Sequence, residues 1–317
     1  MNFDVDKRTI LLVKHGSHAY GLNTPTSDED FKGVCIKPRA AYFGFTQRFE
    51  QHEHMGSKTD GIDKVVYSLE KFVSLAADCN PSIVEVLHVA DEDVVVKDSF
   101  GERLRAIRDD FLSRKAKFTF AGYAHGQLKR IKTHRSWLLN PPKAPPTRKE
   151  FGLSETSKIS KSELGAYDAI LEQGIEIELP KDLLTVFTRE KQYQASKTHY
   201  DQFKSWEKSR NPARAELEAK YGYDTKHGMH LMRLELMGIE ILEKHTVHVK
   251  WTGPERDYLM GIRNGLLPYD ELVERAEKLE ARADELYETS TLRREPNRAQ
   301  LDAIVVDMTD EYLSLYG

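Results

Sequence analysis

Between His15 and Val34 the chain reads HGSHAYGLNTPTSDEDFKGV, with a Gly-Ser pair followed by two aspartates one residue apart. Residues i and i+2 of a strand point to the same face. Asp28 and Asp30, at the mouth of an apolar run reaching Ile36, therefore present two carboxylates side by side. Adjacent carboxylates repel, so keeping both ionised is costly without a cation. Mg²⁺ takes oxygen ligands and favours one or two carboxylates plus phosphate oxygens; Mn²⁺ is the alternative ion. Gly16 lets a ligand approach the backbone, and Ser17 offers a hydroxyl and an amide to phosphate. His15 and His18 flank the pair and either touch phosphate or are ordinary loop histidines. A metal-plus-triphosphate site is one reading of the stretch; a turn rich in Ser, Asp and Asn between two strands is the other.

A second constellation lies in KHGMHLMRLELMGIEIL, Lys226 to Leu242. At about 100° per residue, Lys226, His230 and Arg233 share one narrow sector of a helix. Met229, Leu231, Met232, Leu234, Leu236, Ile239 and Leu242 make most of the remaining girth apolar, which predicts a buried helix. Cations on a buried helix need an anionic partner. A triphosphate or acceptor phosphate serves, with Lys226 and Arg233 in contact and His230 nearby; carboxylates of the N-terminal half serve equally. Glu85, in the apolar NPSIVEVL, is such a carboxylate or else an acid near the metal. Tyr20 stacks on a base or packs in the core. His52-Glu53-His54 falls in a polar loop without the i, i+4 spacing of a helical metal site and is set aside. QLKRIKTHR, Gln127 to Arg135, with Tyr123 and Trp137 nearby, is either a track for an RNA backbone or a solvated helix face.

The elements that must position these groups divide in two. TILLVKHG, DFKGVCIKP, DKVVYSL and DVVVK read as strands. LEKFVSLAADC reads as a helix, broken by Asn80-Pro81, which starts the next one. From Ser99 the pattern turns helical. Candidate helices include FTFAGYAHGQLKRIKTHRSWLL, segments resuming at Lys161, Arg189 and Thr225, PYDELVERAEKLEARADELYETS, and a last one after Pro296-Asn297. Four prolines exclude a helix in NPPKAPPTRK, so residues 140–162 are expected to form a loop, an insertion or a lid. The expected architecture is α+β: a small mixed-sheet domain over residues 1–100, then a helical domain over 101–317.

Across 317 residues, 39% apolar and 31% charged, the net charge of −4 neither favours nor excludes a nucleic-acid partner. Cys35 and Cys79 show no framework spacing, so a disulfide scaffold and a structural zinc site are not expected. The N-terminus lacks a signal-peptide pattern and no apolar run reaches membrane-spanning length. A cytoplasmic location is the expectation; the oligomeric state is left open.

Strand, Gly-Ser, ten-residue spacer and Asp-x-Asp opening a second strand together resemble the DNA polymerase β-type nucleotidyltransferase superfamily. GSHAYG, TSDEDFKG, NPSIVEVL and KHGMHLMRL, with a looser echo in IRNGLLPYDELVERA, look like its RNA-ligase-associated, RNA-repair branch. The resemblance implies that Gly16 and Ser17 hold nucleotide phosphates and that Asp28 and Asp30 bind catalytic metal. It also implies a third acid on a following strand. Asp63 is assigned to that place, ahead of Asp60 and Glu70, although the apolar-Asp-apolar pattern is absent. The implied reaction moves an NMP from an NTP, ATP first among them, to an acceptor hydroxyl, an RNA end. A protein or small-molecule hydroxyl, and a non-catalytic nucleotide- or RNA-binding module, are the alternatives.

Overall fold

The computed structural model describes residues 3–46, 48–56, 61–155, 159–172 and 181–317. The sheet-bearing half runs β1 (Thr9–His15), α1 (Gly16–Ala19), β2 (Glu29–Cys35), α2 (Arg39–Phe43), β3 (Gln51–His54), β4 (Ile62–Ser68), α3 (Leu69–Ala77), α4 (Pro81–His88) and β5 (Val94–Lys97). Helices follow: α5 (Ser99–Ala106), α6 (Ala116–Leu139), α7 (Lys161–Glu172), α8 (Lys181–Ser209), α9 (Pro212–Tyr221), α10 (Thr225–Lys244), α11 (Gly253–Arg263), α12 (Tyr269–Thr289) and α13 (Arg298–Tyr316). This is the α+β arrangement expected, a mixed sheet followed by helices.

The strands lie in the order β3-β4-β2-β1-β5. Only β2 and β4 run parallel; β1–β2, β1–β5 and β3–β4 are antiparallel. Ile10, Leu11 and Val13 of β1 and Val34 of β2 are fully buried and join one core with Phe72 of α3 and Ile83, Val84 and Leu87 of α4. Asn80 caps α4 by accepting from the Ser82 N–H at 3.1 Å, with Pro81 in the first turn, where its missing N–H costs nothing. Asp224 caps α10 in the same way through the His227 N–H.

Three expectations about local structure need correction. His52-Glu53-His54 is not loop but edge strand β3: its partner β4 supplies the ladder, and the outer edge faces no further strand among the described residues, so polar side chains suffice. The helix expected from Arg189 already runs from Lys181, where Leu183, Leu184, Val186 and Phe187 continue the pattern. Within 140–162, Thr147 and Glu150 form a capping box around a short 3₁₀ turn, Arg148–Phe151.

By packing, the chain forms two compact units, residues 1–131 with 221–317, and residues 132–220. The change to a helical pattern near residue 100 falls inside the first of these units. The reason lies in α5, whose Phe100 and Leu104 enter the sheet's core, and in α10, whose Met229, Leu231 and Met237 do the same. The second unit has its own internal ties. Arg148 meets Glu190 through two parallel bonds of 2.9 and 2.8 Å, and Trp137 and Trp206 pack with ring centroids 5.2 Å apart. Cys35 and Cys79 are buried free thiols. No helix among the described residues is long and apolar enough to cross a membrane.

Candidate active site

Strand register brings the acids together. In the antiparallel β1–β2 pair, His15 stands opposite Asp30; in the parallel β2–β4 pair, Asp30 stands opposite Asp63. One end of β1 and the first turns of β2 and β4 therefore meet at a single edge. Gly16 follows His15 with φ +63°, and a Cβ placed there falls 2.1 Å from Asp30 Oδ2. Glycine is required twice over, for the left-handed backbone and for the contact. Ser17 follows at the start of the short helix α1 and is half-buried.

Asp28 is exposed one residue before β2. A local turn delivers it: the Thr24 N–H donates to Ser27 Oγ at 2.9 Å, and the Ser27 N–H donates back to the Thr24 carbonyl at 3.0 Å. The Glu29 N–H then reaches the Gly61 carbonyl at 3.1 Å, tying this turn to the entrance of β4. His18 Nε2 lies 3.4 Å from the Ser27 carbonyl, so the structure places this ring against the turn.

The electrostatics of the edge are unbalanced. Burial raises the Asp30 carboxyl above its ordinary range, and the charges of Asp63 and Asp28 push it the same way, against His15 and Lys32. Among the described residues nothing donates a hydrogen bond to Asp30. Asp63 has one donor, the Gly56 N–H at 2.8 Å. Three carboxylates at one edge, the central one half-buried without a donor, are a hard-oxygen set suited to a divalent cation. No group of three or more described His, Cys, Asp or Glu side chains already stands in metal-holding geometry. Of the alternative third acids, Asp60 lies outside the described residues, and Glu70 pairs with Lys37 at the far end of β4.

The second constellation resolves differently. Arg233 is 5% exposed and donates through Nη1 to Glu85 Oε1; Glu85 is 1% exposed. The guanidinium lies over the Tyr20 ring, 3.8 Å from its centroid, and the Tyr20 hydroxyl donates to Glu85 Oε2 at 2.6 Å. His15 Nε2 is 3.2 Å from the same oxygen. Burial alone would raise the Glu85 carboxyl, but Arg233 and His15 outweigh it and hold it well below the usual range. Arg233 thus takes the second of its two expected partners, a carboxylate of the N-terminal half, because a buried guanidinium beside a buried carboxylate is matched without any ligand. Tyr20 belongs to the core. Lys226 and His230 are half-buried on the same helix, each engaged with neighbouring groups.

Two features escape the sequence reading. Lys32, two residues beyond Asp30 on the same face, donates to Ser82 Oγ at the start of α4. Burial pulls its ammonium down, while Glu85 and Asp30 hold it up. The i, i+2 rule that paired Asp28 with Asp30 extends to it directly. The other is a clamp on the loop between α1 and β2. Arg256 Nε donates to the Gly21 carbonyl at 2.7 Å, Arg263 Nη1 to the Leu22 carbonyl at 2.6 Å, and the Trp251 N–H to the Tyr20 carbonyl at 3.0 Å. Its only sequence signal is the arginine of IRNGLLPYDELVERA.

Comparison with known proteins agrees with the motifs. Residues 2–139 match the model of the RNA repair pathway DNA polymerase beta family, RlaP, the branch that those motifs resemble. A curated relative is an uncharacterized 38.9 kDa protein of the nrdC-mobD intergenic region of Enterobacteria phage T4, 34% identical over 133 residues. That match spans 38% of this chain and 38% of the phage protein. No solved structure matches.

Proposed function

We propose that this chain, whose residues 2–139 match a polymerase β family of RNA repair, is a nucleotidyltransferase that adds an NMP to an RNA end. The observation that carries the reading is the register that sets Asp30 between the Gly16 turn and Asp63. A loop open to phosphate and an edge of unbalanced carboxylates face the same point, which suits an NTP bound with a divalent cation. Asp28 and Asp30 are the proposed ligands of Mg²⁺ or Mn²⁺, which when bound neutralises charge on the transferring phosphate. Gly16 and Ser17 hold the phosphates through backbone and hydroxyl donors, Lys226 adds positive charge from α10, and His230 hydrogen-bonds nearby. Arg233 acts indirectly, by fixing Glu85 and Tyr20 beneath the loop.

In the proposed step, the acceptor oxygen forms a bond to the α-phosphorus while the bond to the β-phosphate bridging oxygen breaks in line. Pyrophosphate leaves with the electron pair, and the hydroxyl proton passes to the Asp63 carboxylate. The protein supplies position and charge. The test is incubation with each α-labelled NTP, Mg²⁺ or Mn²⁺ in parallel and a mixture of cellular RNA and protein, beside Asp28→Ala/Asp30→Ala. Label entering RNA with the intact chain alone is expected. Label entering protein, or no NTP consumption with either metal, overturns the reading.

A further inference from the structure

Helix α6 carries five cations, Lys117, Lys129, Arg130, Lys132 and Arg135, and no acid, in a chain of net charge −4. Lys117 is neutralised by Asp284 of α12. Lys129 and Arg130 are exposed and have no carboxylate partner among the described residues. Tyr123, Gly126 and Arg130 follow at i, i+3 and i+7 on one face, with Gly122 and Lys129 beside them. Each helix-interior glycine costs about 1 kcal/mol relative to alanine. A Cβ at Gly122 or Gly126 meets nothing within 4 Å, so packing does not demand either glycine. Their effect is to leave the backbone between Tyr123 and the two cations open to close approach.

This face is connected to the carboxylate edge. Tyr123, half exposed, accepts through its hydroxyl from Asn80 Nδ2 at 3.4 Å, and Asn80 caps the helix whose Ser82 receives Lys32. Burial chiefly, with Glu53 and then Tyr123 adding to it, raises the Tyr67 phenol, which puts Tyr123 within electrostatic reach of β4. Tyr67 and Asp63 are four residues apart on one face of β4, about 13 Å at 3.3 Å per residue. Arg130 lies about 10 Å beyond Tyr123 along α6.

We propose that the exposed face of α6 formed by Tyr123, Gly122, Gly126, Lys129 and Arg130 is the docking track of a single-stranded RNA acceptor, which leads its end along β4 to Asp63. The inference rests on the nucleotidyl-transfer reading for the identity of the acceptor. Two unpaired cations meet phosphates, the glycines admit the backbone, and Tyr123 offers a ring to a base. An acidic protein would satisfy the cations but gain nothing from an aromatic ring beside an open backbone.

The test measures binding of a fluorescent single-stranded RNA to the full chain over a range of salt, in the intact protein, Lys129→Ala/Arg130→Ala and Tyr123→Ala. Loss of two phosphate contacts is expected to flatten the slope of log K against log salt by about 1.4, at ~0.7 per contact. Loss of one stacked base in Tyr123→Ala weakens binding about fivefold or more with the slope retained. Thermal unfolding and NTP binding, followed in the same samples, report the fold and the nucleotide site. Unchanged RNA affinity and slope in folded variants overturn the track, as does an equal affinity for duplex DNA or an acidic protein. If the intact chain consumes no NTP while the variants still lose RNA, the transfer reading fails and the track stands.

Discussion

Asp30 and Glu85 are both carboxylates withdrawn from water within one small sheet-and-helix unit, and their surroundings push them in opposite directions. Glu85 is the more buried, yet its charge is held, because Arg233, Tyr20 and His15 converge on its two oxygens. Asp30 is only half-buried, yet its charge is disfavoured, because Asp63 and Asp28 reinforce the effect of burial and among the described residues no hydrogen-bond donor offsets it. Depth alone does not decide a buried charge; the sign and direction of what surrounds it do. The interior set is balanced in charge, although Arg233 Nε has no hydrogen-bond partner among the described residues. The edge is complete only with something positive added.

The largest effect that would break this contrast is expected at Glu85. Glu85→Ala leaves Arg233 buried and uncompensated, which should cost about 3–5 kcal/mol in urea unfolding. A loss below about 1 kcal/mol would mean that Arg233 finds another partner and the set is not self-sufficient. Next is Gly16→Ala, which forces a positive φ on alanine and drives its Cβ into Asp30. A loss of about 1–3 kcal/mol is expected, with NTP binding weakened at least as strongly as stability. Intact NTP binding would show that the turn does not shape the site.

The smallest effect sharpens the comparison, since it should be a gain. In EDTA at pH 7, Asp30→Asn removes a repulsive charge and should stabilise the chain by ~0.2–1 kcal/mol while abolishing transfer. Because the Asp30 carboxyl is raised, protonation favours the native state as pH falls. The advantage of Asp30→Asn should therefore shrink on acidification and vanish below the unfolded value near 3.8. Glu85 and His15, both lowered, act the other way. The native state loses stability below 6.5 as unfolded His15 takes up a proton, and again below 4.5 as Glu85 does. Melting temperatures of both proteins at pH 7 and pH 4.5 give the comparison. A destabilised Asp30→Asn, or a gain independent of pH, would refute an unbalanced edge.

How much of this was legible follows from range. The apolar runs of β1, β2 and β4, the Asn80-Pro81 break and the Gly-Ser to Asp-x-Asp spacing are local, and they disclose both the α+β class and the family resemblance. The pairing of Asp30 with Asp63 is not local. It depends on a parallel register set across α2 and β3, which no periodicity encodes. β3 itself was hidden because an edge strand needs backbone partners more than apolar side chains. Arg233 shows the same limit from the other side. Its helix face marks a buried cation needing an anion, but only the fold selects Glu85, 148 residues away.

The clamp on the α1–β2 loop has a consequence in time. Its arginines lie 235 and 241 residues after the carbonyls they hold. On a ribosome adding ~5–20 residues per second, they are synthesised roughly 10–50 s after the loop itself. Contacts of such sequence separation also pay their closure entropy late in folding. The nascent chain therefore carries its carboxylate edge well before the loop above it is fastened, and nucleotide affinity should mature only when α11 arrives.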